Sequence, residues 1–207
     1  MAAKTMKLSI TEIENPTDVA ILKSPAKTVS FPLTEMNKTI IQNMQDRLYQ
    51  LGGVGLAAPQ VNVSQRIIVI YIPDDAVLLR DNAKPYPMHV MINPSYRPCN
   101  DCATSYDIEA CYSVKAKAGK VQRYNEIELK YQDEKGSWHT SIENGFYARV
   151  LQHEIDHLNG ILIIDRLKPS DVQGTISEMM NLRRSELSKD KQQMFDKLLR
   201  KKNIKTQ

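Results

Sequence analysis

Residues 144–160, NGFYARVLQHEIDHLNG, constrain this chain more than any other stretch. Phe146, Val150, Leu151, Ile155 and Leu158 recur at helical spacing and Gly160 stands where a helix would stop, so the pattern predicts a helix with one apolar face. The same helix carries His153, Glu154 and His157, an H-E-x-x-H signature. Histidines four residues apart sit one turn apart on one face, so their imidazoles can converge on a single cation. Glu154 projects about 100° around the helix, near enough to reach a water on that cation without becoming a ligand. A tetrahedral catalytic site needs a third protein ligand and leaves its fourth position to water. His89, His139, Cys99, Cys102 and Cys111 all qualify, and spacing alone does not select among them.

The remainder of the chain reads as strands around that helix. Met36, Ile40, Ile41, Met44, Leu48 and Leu51 define a helix over 35–51 that Gly52 and Gly53 end. GVGLAAPQ (53–60) is expected as a small-residue loop feeding the buried strand RIIVIYI (66–72), and residues 73–88, with Pro73, Pro85 and Pro87, as an exposed loop. HVMINPSY (89–96) predicts a strand stopped near Pro94 and Pro98, and EIELKYQ with SWHTSIE around the turn DEKG predicts a hairpin. The alternation in EACYSV around Cys111 is compatible with a strand facing the helix, and ILIID (161–165) is expected as a short strand. Beyond Pro169 the apolar spacing predicts one or two amphipathic helices. Strands flanking single helices without regular βαβ alternation give an α+β class: mixed or antiparallel strands around a central helix, with a C-terminal helical extension.

With 207 residues, 42% of them hydrophobic, the chain can bury a core, read here as a domain over 1–170 and an appendage over 171–207. Of 28 Lys and Arg and 24 Asp and Glu, 9 and 5 lie in the appendage, leaving 19 of each in the body, so the appendage holds the whole +4 excess. No signal-peptide core and no run of about 18 apolar residues is present, so the expectation is a soluble cytoplasmic protein that engages no membrane. Three cysteines are too few for a disulfide framework. Cys99 and Cys102 form a lone C-x-x-C without a second pair or a thioredoxin-like context.

Three stretches, GVGLAAPQ (53–60), EACYS (109–113) and QHEIDHLNG (152–160), resemble in order the three motifs of the peptide deformylases, and the likeness spans roughly 17–168. The resemblance implies a hydrolase that removes the formyl group from the N-terminal methionine of new polypeptides and releases formate. It implies Cys111, His153 and His157 as ligands of one divalent ion, ferrous iron in most of the family, with zinc, nickel or cobalt as substitutes. It further implies Glu154 as the proton-transferring group, and Gln60 with the backbone N–H of Tyr112 as oxyanion donors. Gly53, Val54, Gly55 and Ala110 would lie against the substrate backbone, and Val54, Phe146, Arg149 and Val150 would line the methionine pocket. Ala110 stands where the family has glycine, Tyr112 where it has leucine and Ala118 where it has arginine. These departures leave a second reading, a divergent paralogue that binds metal and peptide with weak or altered activity. For the appendage the bland reading is a solvated amphipathic face. The functional one is contact with ribosomal RNA through Arg183, Arg184, Lys189, Lys191, Arg200, Lys201 and Lys202, close to emerging N-formylmethionyl nascent peptides.

Overall fold

The β-branched run Ile67–Ile72 sets the architecture, because alternate residues of one strand must both find apolar cover. In the computed structural model, which describes residues 8–77, 80 and 83–205, and of these all side chains except Val77 and 201–205, both covers are helices. The elements, in order, are α1 (Val19–Leu22), α2 (Glu35–Leu51), β1 (Gly55–Ala57), β2 (Ile67–Ile72), α3 (Asp74–Val77), β3 (Tyr86–Pro98) and β4 (Thr104–Cys111). They continue with β5 (Val114–Tyr124), β6 (Glu126–Gln132), β7 (Trp138–Asn144), α4 (Gly145–Leu158), α5 (Ile163–Arg166), β8 (Gln173–Gly174), α6 (Ile176–Ser185) and α7 (Lys189–Lys205). Five antiparallel strands form a sheet in the order β1-β2-β3-β6-β7, and β4-β5-β8 form a second, also antiparallel.

Ile68, Ile70 and Ile72 face α4, where Leu151, Ile155 and Leu158 complete one core with Met91, Ile127 and Leu129. Ile67 and Val69 face the other way, against Ile40, Ile41, Met44 and Leu48 of α2. Helix α2 starts at a capping box between Thr34 and Asn37 and stops at Gly52, whose left-handed conformation (φ +61°) a side chain would disfavour. Helix α4 lies between the sheets, packed on β1, β3, β6 and β7 on one side and β5 on the other. The α+β class and the central helix are as expected.

Several element expectations need correction. ILIID (161–165) is no strand: Ile163–Arg166 form one helical turn, because the Asp165 carboxylate accepts the Leu162 N–H at 2.8 Å and the aliphatic side chains pack on Val114 and Val121. The strand predicted over 89–96 runs from Tyr86 to Pro98 and includes both prolines; Pro94 falls at a register shift between Ile92 and Ser95, and Pro98 ends the strand. Residues 53–60 are a short strand and a buried 3-10 turn (Ala58–Val61) rather than a loop, paired through Gly55 with Ile70. The 73–88 segment contains α3 and the start of β3, and Arg80 within it is half-buried; residues 78, 79, 81 and 82 lie outside the described residues. Strand β5 carried no sequence expectation.

Candidate metal centre

Strand β4 ends in a defect. Glu109 pairs with Gly119 and Cys111 with Val114, and the register shifts between them, leaving Ala110 exposed between two buried neighbours. Such a bulge re-aims the side chain that follows it. Ala110 is not among the positive-φ residues, so this turn needs no glycine.

The Cys111 Sγ lies 3.2 Å from His157 Nε2, and the ligating atoms of Cys111, His153 and His157 all fall within 4.8 Å of one another. Among the described residues no other group of His, Cys, Asp and Glu gathers in this way. A thiolate and an imidazole sharing a tetrahedral ion would sit about 3.5 Å apart, given metal–sulfur and metal–nitrogen bonds of about 2.3 and 2.0 Å. The donor set therefore fits one divalent ion. His89 is engaged instead with Tyr147 (2.8 Å) and the Pro87 carbonyl (2.7 Å), and His139 with Asp133 on the β6–β7 hairpin. Cys99 and Cys102 are free thiols in the β3–β4 turn, where Cys102 Sγ accepts the Glu126 N–H at 3.2 Å.

Each histidine is set differently. His153 directs Nδ1 at the Glu109 carboxylate (2.9 Å), which leaves Nε2 for the ion. Burial lowers the His157 pKa far below its usual value, so the ring is held neutral, the form that ligates. Glu109 in turn accepts from Arg123 (3.0 and 2.8 Å) and Arg149 (2.8 Å). Burial would raise its carboxyl, but the bonds from His153 and Arg123 outweigh that and hold it well below the ordinary carboxylate range. Arg123 also pairs with Asp156, which Arg166 grips from outside. Glu109, Arg123 and Asp156 were not singled out from the sequence; the glutamate two residues before Cys111 was the available signal.

Glu154 faces the cluster with Oε2 buried and without a hydrogen-bond partner. Burial pushes its pKa up to about 7. Gly55 makes room for it: a Cβ there would lie 2.4 Å from Glu154 Oε1. Gln60 is buried, its Oε1 fixed by the Ala57 N–H (2.9 Å), so its amide nitrogen points to Cys111 Sγ (3.6 Å) and Ser113 Oγ (3.4 Å). Tyr112 lays its ring on Gly53 and donates to the Leu51 carbonyl at 3.3 Å.

A cavity of about 790 Å³ opens over these groups, and Val54, Phe146, Arg149 and Val150 line it together with Ala110 and Tyr112. The Arg149 guanidinium is engaged by Glu109, Val121 O and Ser105 O. Arg80, unremarked in the sequence, stacks on Phe146 at 4.3 Å and pairs with Asp107.

Comparison with known proteins decides the family. The model of the polypeptide deformylases matches residues 7–173. The chain belongs to the polypeptide deformylase family. Peptide deformylase of Chlorobaculum parvum is 40% identical over 166 residues, 80% of this chain and 82% of that protein. Peptide deformylase 2 of Rickettsia conorii is 33% identical over 180 residues, 85% and 88% of the two chains. Among solved structures, Met-Ala-Ser-bound class I type b peptide deformylase from Acinetobacter baumannii superposes with a TM-score of 0.69 at 30% identity, covering 79% of this chain and all of the other. Peptide deformylase from Thermotoga maritima gives 0.64 at 35%, covering 79% and 99%. As a deformylase the chain is a hydrolase that removes N-formyl groups, and its Cys/His/His cluster is the metal-binding candidate.

Proposed function

We propose that this deformylase acts on N-formylmethionyl peptides as they leave synthesis, with Cys111, His153 and His157 holding ferrous iron; zinc, nickel and cobalt suit the same donors. When bound, the ion supplies Lewis acidity and acidifies a water in its open position. The observation that carries the reading is the Glu154 carboxylate, buried, partnerless at Oε2 and beside the three donors at the end of a cavity. Glu154 takes the proton of the attacking water, and the water oxygen bonds to the formyl carbon. The Gln60 amide and the Tyr112 backbone N–H donate to the oxygen that gains charge. Glu154 then returns the proton to the amine as the C–N bond breaks, which yields formate and a free N-terminal methionine. Gly53, Val54 and Gly55 flank the peptide backbone, and Val54, Phe146, Arg149 and Val150 hold the methionine side chain.

Of the departures from the family pattern, Tyr112 meets these groups directly, its ring resting on Gly53, but neither it nor Ala110 removes one of them. Ala110 has an ordinary backbone conformation, and burial pushes the Tyr112 phenol up, so it stays neutral while its backbone N–H is retained. Formate release from formyl-Met-Ala-Ser by the iron or nickel form is the test. Absence of turnover at full metal occupancy would leave the divergent paralogue.

We further infer ribosome contact by the exposed basic residues of α7. Arg183 is tied to Asp107 and Arg184 to Asp196, whereas Lys189 and Arg200 stand exposed with Lys191 beside them; the side chains of Lys201 and Lys202 lie outside those described. Lys189→Glu with Arg200→Glu should lower co-sedimentation with ribosomes, most at low salt. Unchanged co-sedimentation would count against it. The compartment on this reading is the cytoplasm, where free thiols persist; no described helix is long and apolar enough to cross a membrane.

A further inference from the structure

The family match ends at residue 173, but the cavity over the metal centre does not. Its lining includes Ile176, Met180 and Arg183 of α6 and Phe195, Leu198 and Leu199 of α7. On α6 these residues are four and three apart, and on α7 Leu198 and Leu199 lie three and four after Phe195, so each set shares one helical face. The hairpin of α6 and α7 is seated firmly. Met179, next to Met180, packs on Ile108 and Ala118. Arg183 donates to Asp107 at 2.7 Å, and the same carboxylate takes Arg80. Arg184 joins α6 to Asp196 of α7 at 2.8 and 2.9 Å, and Phe195 is buried. Strand β4, which ends in Cys111, therefore also carries the hairpin.

Ala118 supports the same conclusion. It is fully buried against Met179 and pairs with Gly174, so the seat of α6 takes the room a longer side chain would need. A volume of about 790 Å³ lies high in the range of pockets that bury drug-sized ligands, and one formylmethionyl residue does not fill it.

We propose that the α6–α7 hairpin is the outer wall of the substrate channel and reads the side chain that follows the formylated methionine, favouring an apolar one. The proposal rests on the deformylation reading of the same site. Five of the six lining side chains are hydrocarbon or thioether. An apolar second residue is stabilised by leaving water against them, whereas an aspartate would shed its hydration there.

The test compares kcat/KM for formyl-Met-Leu-Ser and formyl-Met-Asp-Ser in the full-length, metal-loaded protein. The wild type should favour leucine about tenfold or more, two buried methylenes being worth roughly that factor. Met180→Ser with Leu199→Ser should bring the ratio within about twofold, mainly through KM, while Met180→Leu retains it. Metal content and melting temperature verify folding, and Met180→Ala alone gives the same readout if the double variant is unstable. A wild-type ratio near one, or a ratio unmoved by the variants while formate is still released, overturns this inference alone. No formate from either peptide at full metal occupancy overturns the deformylation reading and this inference with it.

Discussion

Glu154 and Gly55 form a pair in which one residue's chemistry depends on the other's lack of a side chain. A Cβ at 55 would sit 2.4 Å from the carboxylate, where ordinary contacts begin near 3.4 Å, so the carboxylate must move by about an ångström. Misplacement of that size costs on the order of 10²-fold in rate. Gly55→Ala should therefore release formate about 10²-fold more slowly while melting near the wild-type temperature. Glu154→Gln should lose about 10²- to 10⁴-fold, the usual contribution of a positioned acid–base group. Its metal content by elemental analysis should equal the wild type's, because Glu154 lies outside the ligand cluster; loss of metal would make it a ligand instead. The histidines and Glu154 were legible in the sequence because their relation is local to one helix. Cys111 was chosen as the third candidate ligand only by resemblance, and Glu109 escaped notice because its bond to His153 spans 44 residues and depends on how β4 meets α4.

At the scale of elements, the helices and strands with a strong apolar period, α2, β2, β6 and α4, were legible, and β7 was read from its alternation after the turn DEKG. Those governed by one side-chain bond or one irregular pairing were not. Asp165 turned ILIID into a helix, and a register shift let β3 pass through Pro94. Strand β5 went unread because Arg123 occupies one of its inward positions and masks the alternation. That arginine ties three elements together, bonding Glu109 of β4 and Asp156 of α4 from β5. Removing one partner of a buried ion pair typically costs about 3–5 kcal/mol, because the other charge stays buried. Glu109 keeps Arg149 and His153, and Asp156 keeps Arg166, so Arg123→Leu belongs at the lower end. For a chain of this size about 3 kcal/mol corresponds to a melting temperature lowered by roughly 6–12 °C. Calorimetry on the metal-loaded variant measures it, and an unchanged midpoint would mean that the network contributes position rather than stability.

Over the whole molecule, the proposed metal donors come from different layers: Cys111 from the end of the three-stranded sheet, and His153 and His157 from the helix between the sheets. An ion held by all three would cross-link layers that otherwise meet through side-chain packing, the Arg123 network and the bonds of Arg149 and Gln152 to strand backbone. The unfolded chain presents the same residues without that convergence, so binding favours the folded state. At free metal about 100-fold above the dissociation constant the gain is about 2.7 kcal/mol. Chelation should accordingly lower the melting temperature by roughly 5–11 °C and abolish formate release, both restored by adding back the ion. In Cys111→Ala, which removes the only donor from the small sheet, the loaded and chelated curves should nearly coincide. A wild type that melts at one temperature with and without chelator would show that packing alone holds the layers in register, and that the ion serves only the reaction.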